Sequence, residues 1–177
     1  MMNRRDFLAC TVVSAASMMA PAVYALPAKA MERKLRFYNL HTGEKLSATY
    51  WAEGEYLPDE LASIDHLLRD HRREEIAQID RSLLDQLYMV QDKLGSKGYY
   101  EIISAYRSPL TNKKLQRNTD GVAKRSLHMQ GKAIDVRLRG VETKYLRQAA
   151  LKLKAGGVGY YPDSDFVHLD TGRPRYW

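Results

Sequence analysis

Segments with strand-like and helix-like periods alternate along this chain in an order that leaves few architectures open. Short β-type runs fall at 35–40 (LRFYNL), 46–51 (LSATYW), 99–105, 132–138 (KAIDVRL), 158–161 (VGYY) and 166–172 (FVHLDTG). The first two flank a Thr42-Gly43 turn and read as a hairpin, and Pro162-Asp163 supplies the turn between the last two. Four helical stretches lie among them. Residues 57–73 begin at Pro58 with acids in the first turn and bases in the last, and Leu61, Ile64, Leu67 and Leu68 share one face. Residues 79–95 have Asp80 as N-cap, a stripe of Leu83, Leu84, Leu87, Val90 and Leu94, and Gly95 as the stop. Ser108 caps a short helix that starts at Pro109, and a fourth helix over 142–154 ends at Gly156-Gly157. Strands so far apart in sequence must pair across the helices. The expected fold is therefore α+β, with a mostly antiparallel central sheet flanked by helices.

The first 25 residues stand apart from this pattern. Arg4 and Arg5 precede Phe7 and Leu8, an uncharged run rich in Ala, Ser, Val and Met follows, and Val23-Tyr24-Ala25 suits a signal peptidase. The pair of arginines resembles a twin-arginine (Tat) export signal. The expected organisation is a Tat-type leader over 1–25, a short linker over 26–34 and one domain over 35–177. This predicts a periplasmic protein with no stable membrane insertion once the leader is removed. The single cysteine, Cys10, lies in that leader, so the rest of the chain has neither disulfides nor thiolate ligands. Any metal site must come from carboxylates and the five histidines, His41, His66, His71, His128 and His168.

The net charge is +7, of which the leader's two arginines and one aspartate supply +1. The bases are scattered among acids, as in RDHRREE, and no nucleic-acid motif is present. An acidic matrix suits such a surface better than nucleic acid does. The basic stretch 113–125 (KKLQRNTDGVAKR) is expected either to line a cleft rim facing anionic peptides or simply to be solvated.

Asp135 is the residue that asks for chemistry. It interrupts an apolar strand pattern between Ile134 and Val136, and a buried carboxylate must be neutralised, hydrogen-bonded or bound to a metal. Strand alternation puts Ala133, Asp135 and Arg137 on one face, and His168 with Asp170 on one face of the last strand. If those strands are neighbours, Asp135 and His168 project from one surface. His128, just before the strand, folds back over it with the help of Gly131. Two imidazoles and a carboxylate with one position open match the ligand count of a catalytic zinc site. Arg107, at the end of a strand in SAYRS, presents a fork of donors to the same cleft, suited to a substrate carbonyl or carboxylate; a solvated strand-end arginine is the competing reading. His66 and His71 read as solvated positions on a charged helix and His41 as a turn residue.

SAYRS, the His128-x6-Asp135 spacing with Gly131 and Ala133 inside it, and a late strand histidine are similar to the LAS metallopeptidases, which include lysostaphin-type enzymes, D-Ala-D-Ala peptidases and the hedgehog domain. More closely, NLHTGE, SAYRS, GVAKRSLHMQGKAIDV, AGGVGYYP and FVHLDTG resemble the Tat-exported murein endopeptidase K family of Gram-negative bacteria. That resemblance implies a LAS-type fold and one zinc ion per chain held by His128, Asp135 and His168. It implies that Arg107 stabilises the transition state, and that the substrate is a peptidoglycan peptide cross-link, the 3-3 type between two meso-diaminopimelate residues. The proton acceptor stays open. D-Ala-D-Ala dipeptidases place a glutamate three residues before the last zinc histidine, here Asp165; other LAS enzymes use a His-x-His pair, whose second position here is Asp170. Strand alternation favours Asp170, which could instead orient a ligand. A D,D-carboxypeptidase or D,D-endopeptidase of the same fold, a non-catalytic zinc-containing wall-binding module and a metal-free exported domain are the competing functions. The oligomeric state is left open.

Overall fold

The computed structural model describes residues 32–118 and 123–177; the expected leader lies outside them. The first hairpin pairs β1 (Glu32–Asn39) with β2 (Lys45–Ala52) in antiparallel register. Residues 32–34, expected in a linker, belong to β1. Leu35, Phe37 and Asn39 of β1 alternate inward with Ala48 and Tyr50 of β2. Asn39 closes the turn: its Oδ1 accepts the backbone N–H groups of His41 (2.9 Å) and Thr42 (3.3 Å). A two-residue turn at Glu53-Gly54, both with positive φ, adds the short β3 (Glu55–Tyr56), which the sequence pattern does not predict.

The first helix, α1 (Pro58–Leu67), ends six residues before the expected 57–73 span does. Its basic tail leaves the helix because Asp70 has other partners. The Asp70 N–H donates to the Glu75 carbonyl (2.9 Å), and its buried carboxylate accepts the backbone N–H groups of Ser108 (3.0 Å) and Arg72 (3.1 Å). In α2 (Arg81–Lys93) the Asp80 cap accepts from the Ser82 N–H at 2.9 Å, and Leu83, Leu84, Leu87 and Val90 are buried. After β4 (Tyr100–Ser104) come α3 (Pro109–Asn118), capped by Ser108, then a 3-10 turn over Leu127–Gln130 and β5 (Ala133–Leu138). The chain ends with α4 (Thr143–Leu153), β6 (Gly157–Tyr161), β7 (Phe166–Asp170) and the short β8 (Arg175–Tyr176).

The strands form one mixed sheet in the order β3-β2-β1-β4-β5-β7-β6-β8. Neighbours are antiparallel except β1 with β4 and β6 with β8. The mostly antiparallel α+β expectation thus holds, with two parallel pairs inside it. Helices α1, α2 and α4 pack on one face of the sheet. There Ile134, Val136, Leu138, Val158, Val167 and Leu169 meet the leucines of α1 and α2 and Leu146 of α4. Each such side chain contributes about 1.5–3 kcal/mol of burial. By alternation, the other face of β5 and β7 displays Asp135, Arg137, Phe166, His168 and Asp170. Among the described residues no helix is long and apolar enough to cross a membrane.

Candidate metal centre

Register brings the site together. Asp135 of β5 pairs with His168 of β7 on one side and with Ser104 of β4 on the other, across a shift after Ile102 that turns Ser104 toward it. His128 arrives from the 3-10 turn. Gly131 ends that turn with φ +66°, and a Cβ there would stand 2.2 Å from the Gln78 carbonyl oxygen, so only glycine lets the turn close against the start of α2. The His128 Nδ1–H donates to the Ala105 carbonyl at 2.7 Å, which leaves Nε2 to face the centre. Nε2 stands 3.3 Å from His168 Nδ1 and 3.4 Å from Asp135 Oδ2, and His168 Nδ1 is 2.8 Å from Asp135 Oδ1. One donor atom from each residue lies within 4.8 Å of the other two.

This donor set fits a zinc ion: two imidazole nitrogens and one carboxylate oxygen, with no thiolate. It is almost closed to water, with His128 3% and Asp135 8% exposed. The electrostatics are those of a cation site. Burial would raise the Asp135 carboxyl pKa, but His128 and His168 hold it well below the usual carboxylate range. Burial would likewise depress the His168 imidazolium, yet Asp135 and Asp170 outweigh it and push its pKa up to about 9.

Asp170 has a defined place. Its Oδ2 accepts from His168 Nε2 (3.0 Å) and Arg175 Nη2 (2.7 Å), and its Oδ1 from the N–H groups of Gly157 (3.0 Å) and Gly172 (2.8 Å) and from Arg175 Nη1 (3.1 Å). Those five donors fill both oxygens of a fully buried carboxylate and hold its pKa low against the effect of burial. Such contacts suit a group that holds the His168 ring with Nδ1 toward the centre better than they suit the proton acceptor favoured by strand alternation. Asp165 is not brought to the triad. It sits in the β6–β7 turn with φ +50°, accepting from Thr143 Oγ1 (3.0 Å) and Arg137 Nη1 (3.2 Å).

Arg107 does reach the cleft. Its Nη2 lies 3.8 Å from Asp135 Oδ2 and donates to Ser104 Oγ at 3.1 Å, and Nη1 approaches Asn112 Oδ1 at 3.4 Å. Burial depresses its pKa and Asp135 opposes that shift; a guanidinium is basic enough to stay charged, and its fork is aimed at the triad. The loop carrying it is pinned on both sides. Tyr106 N–H donates to the Leu68 carbonyl (3.0 Å), Arg107 N–H to the His128 carbonyl (3.2 Å) and Ser108 N–H to Asp70 (3.0 Å).

Several contributors escape sequence reasoning. Asp70 hides in a run that reads as a charged helix tail. Gly156 and Gly157, read as a helix stop, are required by Asp170: a Cβ on Gly156 would meet the Asp170 carbonyl oxygen at 1.7 Å, and one on Gly157 its Oδ2 at 2.4 Å. The helix itself stops at Lys154, with φ +52°. Trp177 lies over Gly159, its ring 5.2 Å from that of His168, and its Nε1–H donates to the Tyr161 hydroxyl at 2.8 Å. Of the basic stretch 113–125, Lys113, Lys114, Lys124 and Arg125 are exposed, and residues 119–122 lie outside the described ones.

Comparison with known proteins identifies the family. The family model described as peptidoglycan L,D-endopeptidase MepK matches residues 27–177. The chain belongs to the MepK family. A peptidoglycan L,D-endopeptidase MepK of Escherichia coli strain K12 is 43% identical over 176 residues, covering 99% of this chain and 97% of the relative; one from Shigella flexneri is similar to the same extent. A probable peptidoglycan L,D-endopeptidase MepK of Haemophilus influenzae is 38% identical over 177 residues, covering 99% and 95%. No solved structure matches the chain. The family likeness extends over the whole MepK-type domain, including every segment that builds the triad.

Proposed function

We propose that the protein is a zinc-dependent peptidoglycan L,D-endopeptidase with a LAS-type fold, which hydrolyses 3-3 cross-links between meso-diaminopimelate residues in the periplasm after Tat export. The observation that carries the reading is the convergence of His128 Nε2, Asp135 and His168 Nδ1 beside the Arg107 guanidinium, on the sheet face opposite α1, α2 and α4. Membership of the MepK family supports the reaction, and a family match that begins just after the leader supports export.

His128, Asp135 and His168 would hold the ion, and zinc in such a site supplies a Lewis acid that polarises a carbonyl and acidifies water. The remaining chemistry belongs to the chain. The Ala105 carbonyl fixes His128 as the Nδ1–H tautomer, and Asp170 fixes the His168 ring. Arg107, held by Ser104 and Asn112, donates to the oxygen that gains charge as the amide carbonyl is attacked, already in position when that charge develops. Asp135 is tolerated in an apolar strand because a cation neutralises it.

The test is digestion of purified muropeptides containing both 3-3 and 4-3 cross-linked dimers, read by mass spectrometry with and without a zinc chelator. Chelator-sensitive loss of the 3-3 dimers alone is the expected result. Loss of 4-3 dimers would make the protein a D,D-endopeptidase, and release of terminal D-Ala a D,D-carboxypeptidase. No change from a zinc-loaded protein would favour a wall-binding module.

A further inference from the structure

The sheet face that carries the metal ligands continues along β5 into a second constellation. Arg137 lies two residues beyond Asp135 on the same face, roughly 7 Å along the strand. It pairs across the sheet with Glu101 of β4. The contacts between these groups are loose: Arg137 Nε is 3.4 Å from Glu101 Oε2, Arg139 Nη1 is 3.7 Å from Glu101 Oε1, and Asp165 takes Arg137 Nη1 at 3.2 Å. Arg137 Nε is buried yet lacks a hydrogen-bond partner. The group borders a cavity of about 450 Å³ that also meets Thr143 and Lys144. On the side of Arg137 away from Glu101 stands Phe166, two residues before His168 in β7 and stacked on Tyr161 at 4.5 Å. From the metal outward along β5 the face therefore reads cation site, then one row across the sheet of Glu101, Arg137 and the Phe166 ring.

We propose that Arg137 and Glu101 form the subsite for a zwitterionic amino-acid head group at the end of the side chain of the residue that supplies the scissile carbonyl. Arg137, with Arg139, takes the carboxylate; Glu101, with Asp165, takes the ammonium. The inference rests on the proposed reaction and names what selects its substrate. In a 3-3 cross-link the carbonyl-donating diaminopimelate keeps a free amino and carboxyl group at its far carbon, three methylenes from its own α-carbon. Extended, that chain spans roughly 6 Å from scissile carbonyl to head group, within about 1 Å of the strand spacing from Asp135 to Arg137. Its methylenes run along β5, and Phe166 flanks the head group on the side away from Glu101. In a 4-3 cross-link the same position is alanine, whose methyl group leaves the charged pair without a partner. A site built on charged donors and acceptors discriminates strongly against a ligand that lacks them.

The test uses two synthetic 3-3 dimers, one natural and one with the donor's free carboxylate amidated, and the zinc-loaded wild-type, Arg137→Gln and Glu101→Gln proteins. The wild type should cleave the natural dimer with a kcat/KM at least about tenfold above the amidated one, mainly through KM. Arg137→Gln should lower kcat/KM on the natural dimer and abolish the difference between the two. Glu101→Gln should raise KM on both. Calorimetric titration of the tripeptide-stem product into the same proteins should show the matching loss of affinity in Arg137→Gln. Equal cleavage of both dimers by the wild type overturns the head-group assignment while leaving the reaction intact, and so does an Arg137→Gln protein that still discriminates. A zinc-loaded wild type that cleaves neither dimer overturns the reaction, and the subsite with it.

Discussion

Two pairs of histidines lie near the end of β4, and among the described residues only one of them belongs to a cluster that could hold a metal ion. His41 and His71 stack with ring centroids 4.1 Å apart; His128 and His168 meet edge-on at 5.1 Å. Each pair has one imidazole against a main-chain carbonyl of the same stretch, His41 Nε2 at 2.8 Å from Ile103 O and His128 Nδ1 at 2.7 Å from Ala105 O. The difference is the carboxylate. Asp135 stands between His128 and His168, and Asp170 stands behind His168, so that imidazolium is pushed up to about 9 against burial. His71 has burial, His41 and Arg72 against its charge, and its pKa falls. Asp70, its neighbour in sequence, is engaged elsewhere. Imidazoles in proximity do not make a metal site; an anion between them and a second anion to orient them do.

The widest break of this contrast is expected from the ligands. Asp135→Ala and His128→Ala should reduce muropeptide cleavage to background and zinc content toward none, measured by metal analysis of the purified proteins. His41→Ala and His71→Ala should leave zinc content and kcat/KM unchanged. A fully loaded, active Asp135→Ala protein would remove the proposed centre. Arg107→Ala comes next. It should keep its zinc and lose ~10²–10³-fold in kcat, because it removes a donor that matters as the oxyanion forms. A change confined to KM would make Arg107 a ground-state binder instead.

The triad was legible because its information is local. A seven-residue spacing and the two-residue strand period suffice to aim Asp135 and His168 to one side once β5 and β7 are adjacent. The caps at Asp80 and Ser108 and the helix start at Pro58 were legible for the same reason. What escaped depends on partners distant in the chain. The two-residue strands β3 and β8 exist only through pairing with β2 and β6. The α1 boundary depends on Asp70 meeting Ser108, 38 residues away. The role of Asp170 depends on Gly157, Gly172 and Arg175 closing round it, and a period that finds its face says nothing of who fills its lone pairs.

Asp170 sharpens the contrast by a smaller amount. If it orients His168, Asp170→Asn should weaken zinc binding ~10–100-fold in competition with a chelator, and saturating zinc should restore much of kcat. Unchanged zinc affinity with a lost kcat and an altered pH–rate profile would return it to the role of proton acceptor.

The smallest expected effect tests why the second pair lacks its carboxylate. Asp70 sits beside His71 but turns to the N–H groups of Ser108 and Arg72 and the Thr111 hydroxyl, which together outweigh burial and hold its pKa below the usual value. A depressed folded pKa means that ionised Asp70 stabilises the fold above the unfolded carboxylate's pKa of about 3.9, and that this contribution is lost as pH falls through the lower folded value. Asp70→Asn should therefore unfold about 1–3 kcal/mol more easily near neutrality, with the gap to wild type shrinking below about pH 4 in denaturant titrations. Because Ser108 follows Arg107, the same variant should show a reduced kcat with unchanged zinc content. An equal stability gap at pH 3 and pH 7 would mean that Asp70 acts through shape alone, and that its charge has no part in fixing the Arg107 loop.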